Sequence, residues 1–557
     1  MTPLNRLQQA ASGRETDLKP WLARFGLQQF RPHQEEIIRA VLAGRDVLAI
    51  LPTGAGKSLS YQLPAIMQAG LTVVVSPLVA LMDDQVRTLQ ALNIAAAALH
   101  SQIAADDLTS IYRHLRVSPN RQHDNREHKG LKLLYVAPER LEGSLIKVLE
   151  QRTISRLVVD EAHCISEWGH DFRPSYRRLG AVRNALGQPP VTALTATATS
   201  YVAADICQQL GLEQPLRITA NFNRPNLAYS VWQAACAPLK RELTLQAVSH
   251  YQQQGSCVVY ASTRREVDAL ARELARYLPG PVLAYHAGLD KSLRKRHFEA
   301  FMTNDARVIV ATTAFGMGVD KSNVRLVLHY RMPASLAAYY QEAGRAGRDG
   351  QAAACILLHS PADRDWHKRF IVQAMPSPLD LKRVYVYLRN SQNVQLVAPP
   401  LTRLAAQFKL PLARMQAVLE WLEQQPAESI PEFMQQSEKQ HQLGRKLALL
   451  EAMSAYATQP EGHRQSLVSY FAGTRPASQG YGQPRGQADV KTLGEAAVPR
   501  PLTASESWLL DHLPNLAEPP FLTPAEPPAL DPWREADLAR LLEAWQVRGW
   551  LDRHQRL

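Results

Sequence analysis

Short apolar runs that close on small or polar residues recur at Val47–Leu51, Thr72–Ser76, Leu131–Val136, Leu157–Asp160 and Val191–Thr195, with helical patterns between them. Strands buried on both faces read as continuous apolar runs, so this alternation predicts strand–helix–strand units around a buried parallel sheet. A second stretch repeats the style at Cys257–Tyr260, Val282–Tyr285, Val308–Ala311 and Leu326–His329. The polar segment Ser118–Gly130 interrupts the first unit and predicts a surface loop.

Beyond about residue 375 the pattern changes to helices. Leu401–Phe408 predicts one short apolar-faced helix, and Met415, Val418, Leu419 and Leu422 line a second after the break at Leu410-Pro411. The pair reads equally as a helix-turn-helix or as a plain helical hairpin. Residues 472–530 are rich in Gly, Pro, Ala and Ser, and nine prolines between Pro499 and Pro532 mark most of the stretch as linker. A short amphipathic helix closes the chain, its apolar face built from Leu538, Leu541, Leu542 and Trp545.

Composition narrows the function classes. The 557 residues are too many for one domain, and 46% hydrophobic content is ordinary for a chain with a real core. A formal net charge of +12 fits a polyanionic partner, nucleic acid before membrane, although a merely basic soluble protein explains charge alone equally well. The five cysteines (Cys164, Cys207, Cys236, Cys257, Cys355) are odd in number, widely spaced and never in a C-x-x-C pair. They predict free thiols in a reducing cytosol. The N-terminus has no apolar secretion core and no run approaches the length of a membrane span, so the cytoplasm is the expected compartment.

Three segments carry chemistry. Leu51-Pro52-Thr53-Gly54-Ala55-Gly56-Lys57-Ser58 follows a strand and precedes a helix. Gly54 and Gly56 let the backbone curl its N–H groups towards phosphates, Lys57 reaches the β/γ-phosphates, and the Ser58 hydroxyl ligates magnesium. The first glycine of the common G-x-x-x-x-G-K-[ST] form is absent here. Asp160-Glu161-Ala162-His163 follows the apolar strand Leu157–Val159. Asp160 can hold magnesium through water and Glu161 can polarise an attacking water. An acidic pair at a strand end is often only a helix cap; about a hundred residues after a phosphate loop it is more specific. Gln341-Glu342-Ala343-Gly344-Arg345-Ala346-Gly347-Arg348-Asp349 sets two arginines three apart, on one face if the segment is helical. From a second lobe they can reach a γ-phosphate as arginine fingers, or form a solvated basic face.

Together these motifs resemble superfamily 2 helicases, and more closely the RecQ family, over roughly residues 18–371. The resemblance runs from Phe25-Gly26 and Phe30-Arg31-Pro32-His33-Gln34 through Val75-Ser76-Pro77-Leu78, the DEAH box and Leu194–Thr199. It continues with Asn221-Phe222-Asn223-Arg224-Pro225-Asn226, Tyr285–Gly288 and Ala314–Asp320. Its most discriminating part is Cys164–Pro174 (CISEWGHDFRP), similar to the aromatic-rich loop of RecQ enzymes. The resemblance implies two tandem RecA-like lobes, adenine contacts by Arg31 and Gln34, and nucleotide contacts through Thr53, Gly54, Ala55, Gly56, Lys57 and Ser58. It implies a DNA-sensing loop with Trp168, His170, Phe172 and Arg173. Leu27 stands where relatives often carry an aromatic that stacks on adenine. RecQ proteins commonly follow the motor with a four-cysteine zinc module; here Met453–Tyr456, His463–Gln465 and Tyr470-Phe471 resemble its helices, Gly462 stands where a first ligand cysteine is expected, and no cysteine follows Cys355.

The expected organisation is a first lobe at 1–212, a second lobe at 213–375, helices at 376–430, degenerate zinc-module-like helices at 431–475, a Pro/Gly-rich linker at 476–530 and a terminal helix at 531–557. The expected catalytic set is Lys57, Asp160, Glu161, Arg345 and Arg348, with magnesium on Ser58 and Asp160. ATP and Mg²⁺ are expected, zinc is not. The expected partner is DNA, single-stranded and as tailed or forked duplex, with no membrane and with protein partners reached through the C-terminal tail. The expected activity is ATP-driven 3′→5′ DNA unwinding. Its rivals are a DNA-stimulated translocase that separates strands poorly, a non-catalytic DNA-binding scaffold, and an RNA helicase.

Overall fold

The computed structural model describes residues 17–116, 130–166, 172–316, 321–392, 401–423 and 437–472. Strands β1 (Val47–Ile50), β2 (Leu71–Val75), β3 (Ala96–Leu99), β4 (Leu133–Val136), β5 (Ile154–Val159), β6 (Val191–Thr195) and β7 (Leu216–Thr219) form one sheet in the order β3-β4-β2-β5-β6-β1-β7. Strands β8 (Leu227–Gln233), β9 (Ser256–Tyr260), β10 (Val282–Tyr285), β11 (Val308–Ala311), β12 (Val324–His329) and β13 (Ala353–His359) form a second, in the order β10-β11-β9-β12-β13-β8. Every pairing is parallel. Parallel strands need helical crossovers, and these cover both faces of each sheet. The chain is therefore α/β, with two tandem RecA-like lobes followed by a helical region.

The central strands are wholly buried, as their continuous apolar runs require. Three strands without that signal, β3, β7 and β8, are sheet edges. An edge strand is half-covered, so Ala-rich or mixed sequences such as AAAL and LRIT suffice there. Strand β7 lies beside β1, which carries the first sheet past the expected lobe boundary at 212. Strand β13 has a continuous apolar run like that of β12 and inserts between β12 and β8.

We label the helices that bear on function α1 (Gln34–Leu42), α2 (Leu59–Met67), α3 (Leu336–Ala343), α4 (Pro361–Ala374), α5 (Pro378–Gln392), α6 (Leu401–Phe408), α7 (Leu412–Glu423), α8 (Ser437–Thr458) and α9 (His463–Ala472). Helices α8 and α9, the zinc-module-like segment, fold back onto the second lobe. The Tyr456 ring meets Tyr339 at 5.3 Å, and Phe471 stacks on Phe222 at 4.9 Å and 22°. Arg464 donates to the carbonyls of Pro225 and Leu227, and Gln233 donates to the Ala457 carbonyl. The hairpin thereby covers the outer edge of β8, a row of backbone groups that needs partners. Most of the expected loop at 118–130, the expected linker and the expected terminal helix lie outside the described residues. Among the described residues no helix is long and apolar enough to cross a membrane.

His463 sits against the Tyr456 ring at 5.1 Å, and burial pushes its pKa down to about 4. An unfolded histidine titrates near 6.5, so between these values the folded hairpin binds fewer protons than the unfolded chain. Its docking is therefore at full strength above about pH 6.5 and weakens as pH falls towards 4. Limited proteolysis of residues 437–472 is expected to accelerate across that window in the parent. His463→Phe should flatten the acceleration; an unchanged pH profile in the variant would place the cause elsewhere.

Candidate active site

The loops that leave the carboxyl ends of β1, β5 and β6 converge. After β1 the chain curls through Leu51–Ser58 into α2, with Gly54 at φ 81° and Gly56 at φ 74°. Both values lie where glycine is at home and other residues are strained. A Cβ on Gly56 would also collide with the Gln34 amide. That amide donates to the Gly56 carbonyl at 2.9 Å and the Ala55 carbonyl at 3.3 Å, while the Gln34 oxygen accepts from the Arg31 N–H at 2.8 Å. The Arg31 guanidinium donates to the Gly54 carbonyl. Arg31 and Gln34 thus grip the loop itself, from the start of α1. Lys57 Nζ donates to the Leu51 carbonyl at 3.3 Å. Leu27 is exposed, 43%.

Strand β5 delivers Asp160, whose N–H continues the ladder by donating to the Val75 carbonyl. Glu161 then takes φ 49°, ψ 46°, a left-handed backbone that costs a non-glycine residue about 1 kcal/mol or more and recurs at functional sites. The turn is over-determined. The Glu161 N–H donates to Asp160 Oδ1 at 3.0 Å, and His163 Nδ1 lies 3.3 Å from the Glu161 carboxylate and 2.9 Å from Thr195 Oγ1 at the end of β6. Burial, then the Glu161 charge, pushes the Asp160 carboxyl up to about 7, with Lys57 pulling the other way. A divalent cation beside Asp160 fits this donor set, because it would return the buried acid to a carboxylate.

The second lobe reaches this site through the segment that follows α3. Thr53 Oγ1 donates to the Gly344 carbonyl at 2.9 Å, and a Cβ on Gly344 would strike that hydroxyl. The two arginines do not share a helical face. Helix α3 stops at Ala343, and Gly344–Asp349 is a turn. The Arg348 side chain lies 3.6 Å from where a Cβ on Gly54 would stand, across the lobe boundary. Arg345 is buried within its own lobe, against the Tyr260 hydroxyl and beside Gly316. Arg224 and Asn226 hold the turn: Arg224 donates to the carbonyls of Ala346 and Gly347, and Asn226 to those of Gly347 and Gln351. A buried His329–Glu342 contact of 2.8 Å pins α3 to β12. The spacing of motifs assigns no such role to Arg224 and Asn226, because their partners lie about 120 residues away.

Trp168 and His170 lie outside the described residues. Phe172 and Arg173 are described. The Arg173 N–H donates to the Cys164 carbonyl at 2.9 Å and its guanidinium to the Pro77 carbonyl at 3.2 Å; Arg177 lies over the Phe172 ring at 5.6 Å. Tyr176, a residue with no motif signal, is fully buried and donates its hydroxyl to the Asp160 carbonyl at 3.0 Å. It ties the helix that follows the aromatic-rich segment to the acidic pair, beside the bond from the Cys164 N–H to the Glu161 carbonyl at 2.9 Å. Among the described residues no group of three or more His, Cys, Asp or Glu is placed to hold a metal ion.

The glycine-rich loop after β1, the acidic pair at the end of β5 and an arginine from the second parallel-sheet lobe thus lie together. The "DEAD/DEAH box helicase" family model matches residues 31–206 and the "Helicase conserved C-terminal domain" model residues 239–350. The chain is 42% identical over 349 residues to a Bacillus subtilis protein named "Probable ATP-dependent DNA helicase RecS", covering 62% of this chain and 67% of that protein. It is 40% identical over 356 residues to the ATP-dependent DNA helicase RecQ of Haemophilus influenzae, covering 64% of this chain and 55% of that one. The chain belongs to the RecQ family of helicases. It spans only about half the length of the RecQ relatives it matches. Among solved structures, the helicase MrfA bound to DNA has a TM-score of 0.51 at 20% identity, over 63% of this chain and 49% of that one. The Mycobacterium smegmatis helicase Lhr, with single-stranded DNA and AMP-PNP, scores 0.50 at 20% identity over 80% of this chain and 57% of that one. Both show likeness of fold.

The Gly56 geometry yields a test that needs no assay of function. Gly56→Ala places a Cβ at positive φ and against Gln34, and is expected to cost about 1–3 kcal/mol, read as a lower melting temperature. Gln34→Ala in the same chain should return part of the loss by removing the collision, a non-additive pair. Strict additivity of the two substitutions would mean that the contact is absent.

Proposed function

We propose that this protein is an ATP-dependent DNA helicase that moves 3′→5′ along a single strand and separates duplex ahead of it. The observation that carries the reading is the arrival of Arg348, from the second lobe, over Gly54 of the phosphate loop in the first. A site shared between two lobes makes hydrolysis and lobe closure one event, which is what a motor requires. Lys57 neutralises the phosphates, Thr53, Gly54, Ala55 and Gly56 supply the loop, and Arg31 and Gln34 sit at its adenine side. Ser58 and Asp160 would hold the magnesium that accompanies ATP and offsets its charge. Glu161 orients and deprotonates water. Arg348 stabilises charge developing on the transferred phosphoryl group. Arg345 is a positioning residue, bracing the turn against Tyr260. The 3′→5′ direction and the choice of DNA over RNA rest on the RecQ kinship and its aromatic-rich segment.

Trp168, His170, Phe172 and Arg173 take the sensing role in this reading, with bases stacking on the rings and phosphate on the arginine. Their effect reaches the acidic pair through Tyr176. A strand that favours one arrangement of the loop shifts the population of the hydrolysing state by its differential affinity. One observation favours the translocase that separates strands poorly: every cysteine lies at or before Cys355, so the zinc module of RecQ relatives lacks its ligands.

Lys57→Ala should lower ATP turnover by roughly 10²-fold or more, the scale of removing one preorganised charge stabiliser, and leave nucleotide-free DNA binding intact. Duplexes with a 3′ tail should be opened by the parent and those with a 5′ tail left closed. Turnover without strand displacement on either substrate would select the translocase; stimulation by RNA equal to that by DNA would remove the DNA assignment.

Tyr176→Phe keeps the ring and deletes only the bond to the Asp160 carbonyl. It should preserve basal ATPase while lowering the ratio of DNA-stimulated to basal rate several-fold, as should Trp168→Ala. A melting curve beside each rate separates this from a packing defect, in which both rates fall together. An unchanged ratio in a folded Tyr176→Phe protein would exclude the tyrosine as the link.

A further inference from the structure

Helices α5, α6 and α7 form a unit of their own between the motor and the docked α8–α9 hairpin. Their buried core is Leu381, Val384, Leu404, Ala405, Met415 and Val418, a cluster separate from those of both lobes. Arg414 on α7 is tied to Asp380 on α5, and Asp380 also accepts from the Ser377 N–H at 2.9 Å. The unit rests on the second lobe through contact between α7 and α4.

The joint between α6 and α7 is a tight one. Lys409 takes φ 53°, its N–H donates to the Ala406 carbonyl, and the Leu410 N–H reaches the Ala405 carbonyl at 3.0 Å. This left-handed cap ends α6 and lets α7 begin within three residues. A helix, a left-handed turn and a second helix locked to a third is the helix-turn-helix arrangement, in which the second helix is free to present its outer face. The plain hairpin reading does not account for the third helix, which supplies Leu381 and Val384 to the same core.

The surface around the α6–α7 turn is basic. From residue 378 to 423 the sequence holds six Lys or Arg residues and three acids: Asp380, which is buried and paired, and Glu420 and Glu423 in the last turn of α7, away from its start. Lys382, Arg383, Arg403 and Lys409 are exposed. The Arg383 guanidinium lies over the Phe408 ring at 5.7 Å, which places it beside the Lys409 turn. At the start of α7 the exposed residues are Leu412, Ala413 and Gln416, which are uncharged and compact.

We propose that α5–α7 is a duplex-DNA docking module, with the start of α7 entering the major groove and Lys382, Arg383, Arg403 and Lys409 meeting the flanking phosphates. It rests on the DNA-motor reading only in taking DNA as the polymer. The charge fits a polyanion, and a basic helical unit with a slender uncharged helix end fits a groove. A single strand offers no groove. Gln416 is the one exposed group at the start of α7 suited to a base edge, so the module grips with little sequence preference. Placed on the second lobe, it would hold the parental duplex while the motor pulls one strand.

The test uses the full chain without nucleotide, a labelled 20-base-pair blunt duplex and a labelled oligo(dT) of 20 bases. Arg403→Ala/Lys409→Ala should weaken duplex binding about tenfold or more at 0.15 M salt and reduce the slope of log K against log salt by about 2, one per phosphate contact. Oligo(dT) affinity and oligo(dT)-stimulated ATPase should stay at parent values, and both substitutions are on the surface, so the melting temperature should hold. Gln416→Ala should change duplex affinity by less than about threefold across unrelated sequences. A parent that does not bind blunt duplex overturns the proposal. So does a double variant with parental duplex affinity and slope, or one that loses duplex and oligo(dT) binding equally. Loss of duplex binding in the double variant, in a parent with no ATPase, supports the module and rejects the motor reading.

Discussion

The Thr53 hydroxyl donating to the Gly344 carbonyl at 2.9 Å brings the two lobes together at the site, and the residues around it are arranged on that approach. The two sheets' loops meet there, a threonine side chain on a backbone carbonyl, with no room for a side chain on Gly344. Because the approach is that close, Arg348 falls over the phosphate loop rather than into solvent. The turn that presents it is held by Arg224 and Asn226 from the linker side, by His329 through Glu342 from the sheet side, and by Arg345 from within. A small rotation of one lobe would break the contact and carry Arg348 away. In this placement of the lobes the Arg348 side chain and the loop after β1 lie together.

On the first lobe the acidic pair is held at comparable cost. Glu161 has a left-handed backbone in a turn fixed at several points: its N–H donates to Asp160 Oδ1, His163 is bonded to Thr195 at the end of β6, and Tyr176 donates to the Asp160 carbonyl. Burial and the Glu161 charge push the Asp160 carboxyl up to about 7, so positive charge beside it favours the carboxylate. Strain and suppressed ionisation are both destabilising in the resting protein, and both are relieved or used when the site is engaged. Tyr176 matters because it ties this poised turn to the segment that also carries Phe172 and Arg173.

The C-terminal helices solve a different problem. A parallel sheet built with β8 at its rim exposes a row of unpaired backbone groups, and the α8–α9 hairpin covers that rim: Arg464 donates to the Leu227 carbonyl, the Ala457 carbonyl accepts from Gln233 of β8, and Phe471 stacks on Phe222. Docking by aromatic packing needs no metal ligand, which is consistent with a hairpin whose sequence keeps the tyrosines and phenylalanine of a zinc-module-like segment but none of its cysteines. The α5–α7 unit, by contrast, shares no buried core with either lobe and turns a basic surface outward.

Local chemistry was legible in the chain itself: the phosphate loop, the acidic pair at the end of an apolar run, the buried central strands and the change to helices near residue 375. These features depend on neighbours in sequence, so burial and backbone demands write them into a few consecutive residues. Edge strands β3 and β7 were not legible, since half-covered strands tolerate almost any residue. The helical placement expected for Arg345 and Arg348 gave way to a turn after Ala343, in which Gly347 takes φ 53° and is held by Asn226 and Val324, distant in sequence. Only the tertiary structure separated those two arginines, brought Tyr176 under Asp160 and set Arg224 around the turn. Each depends on two sheets placed side by side, and the spacing of motifs along a chain carries no record of the distance between surfaces that fold against each other.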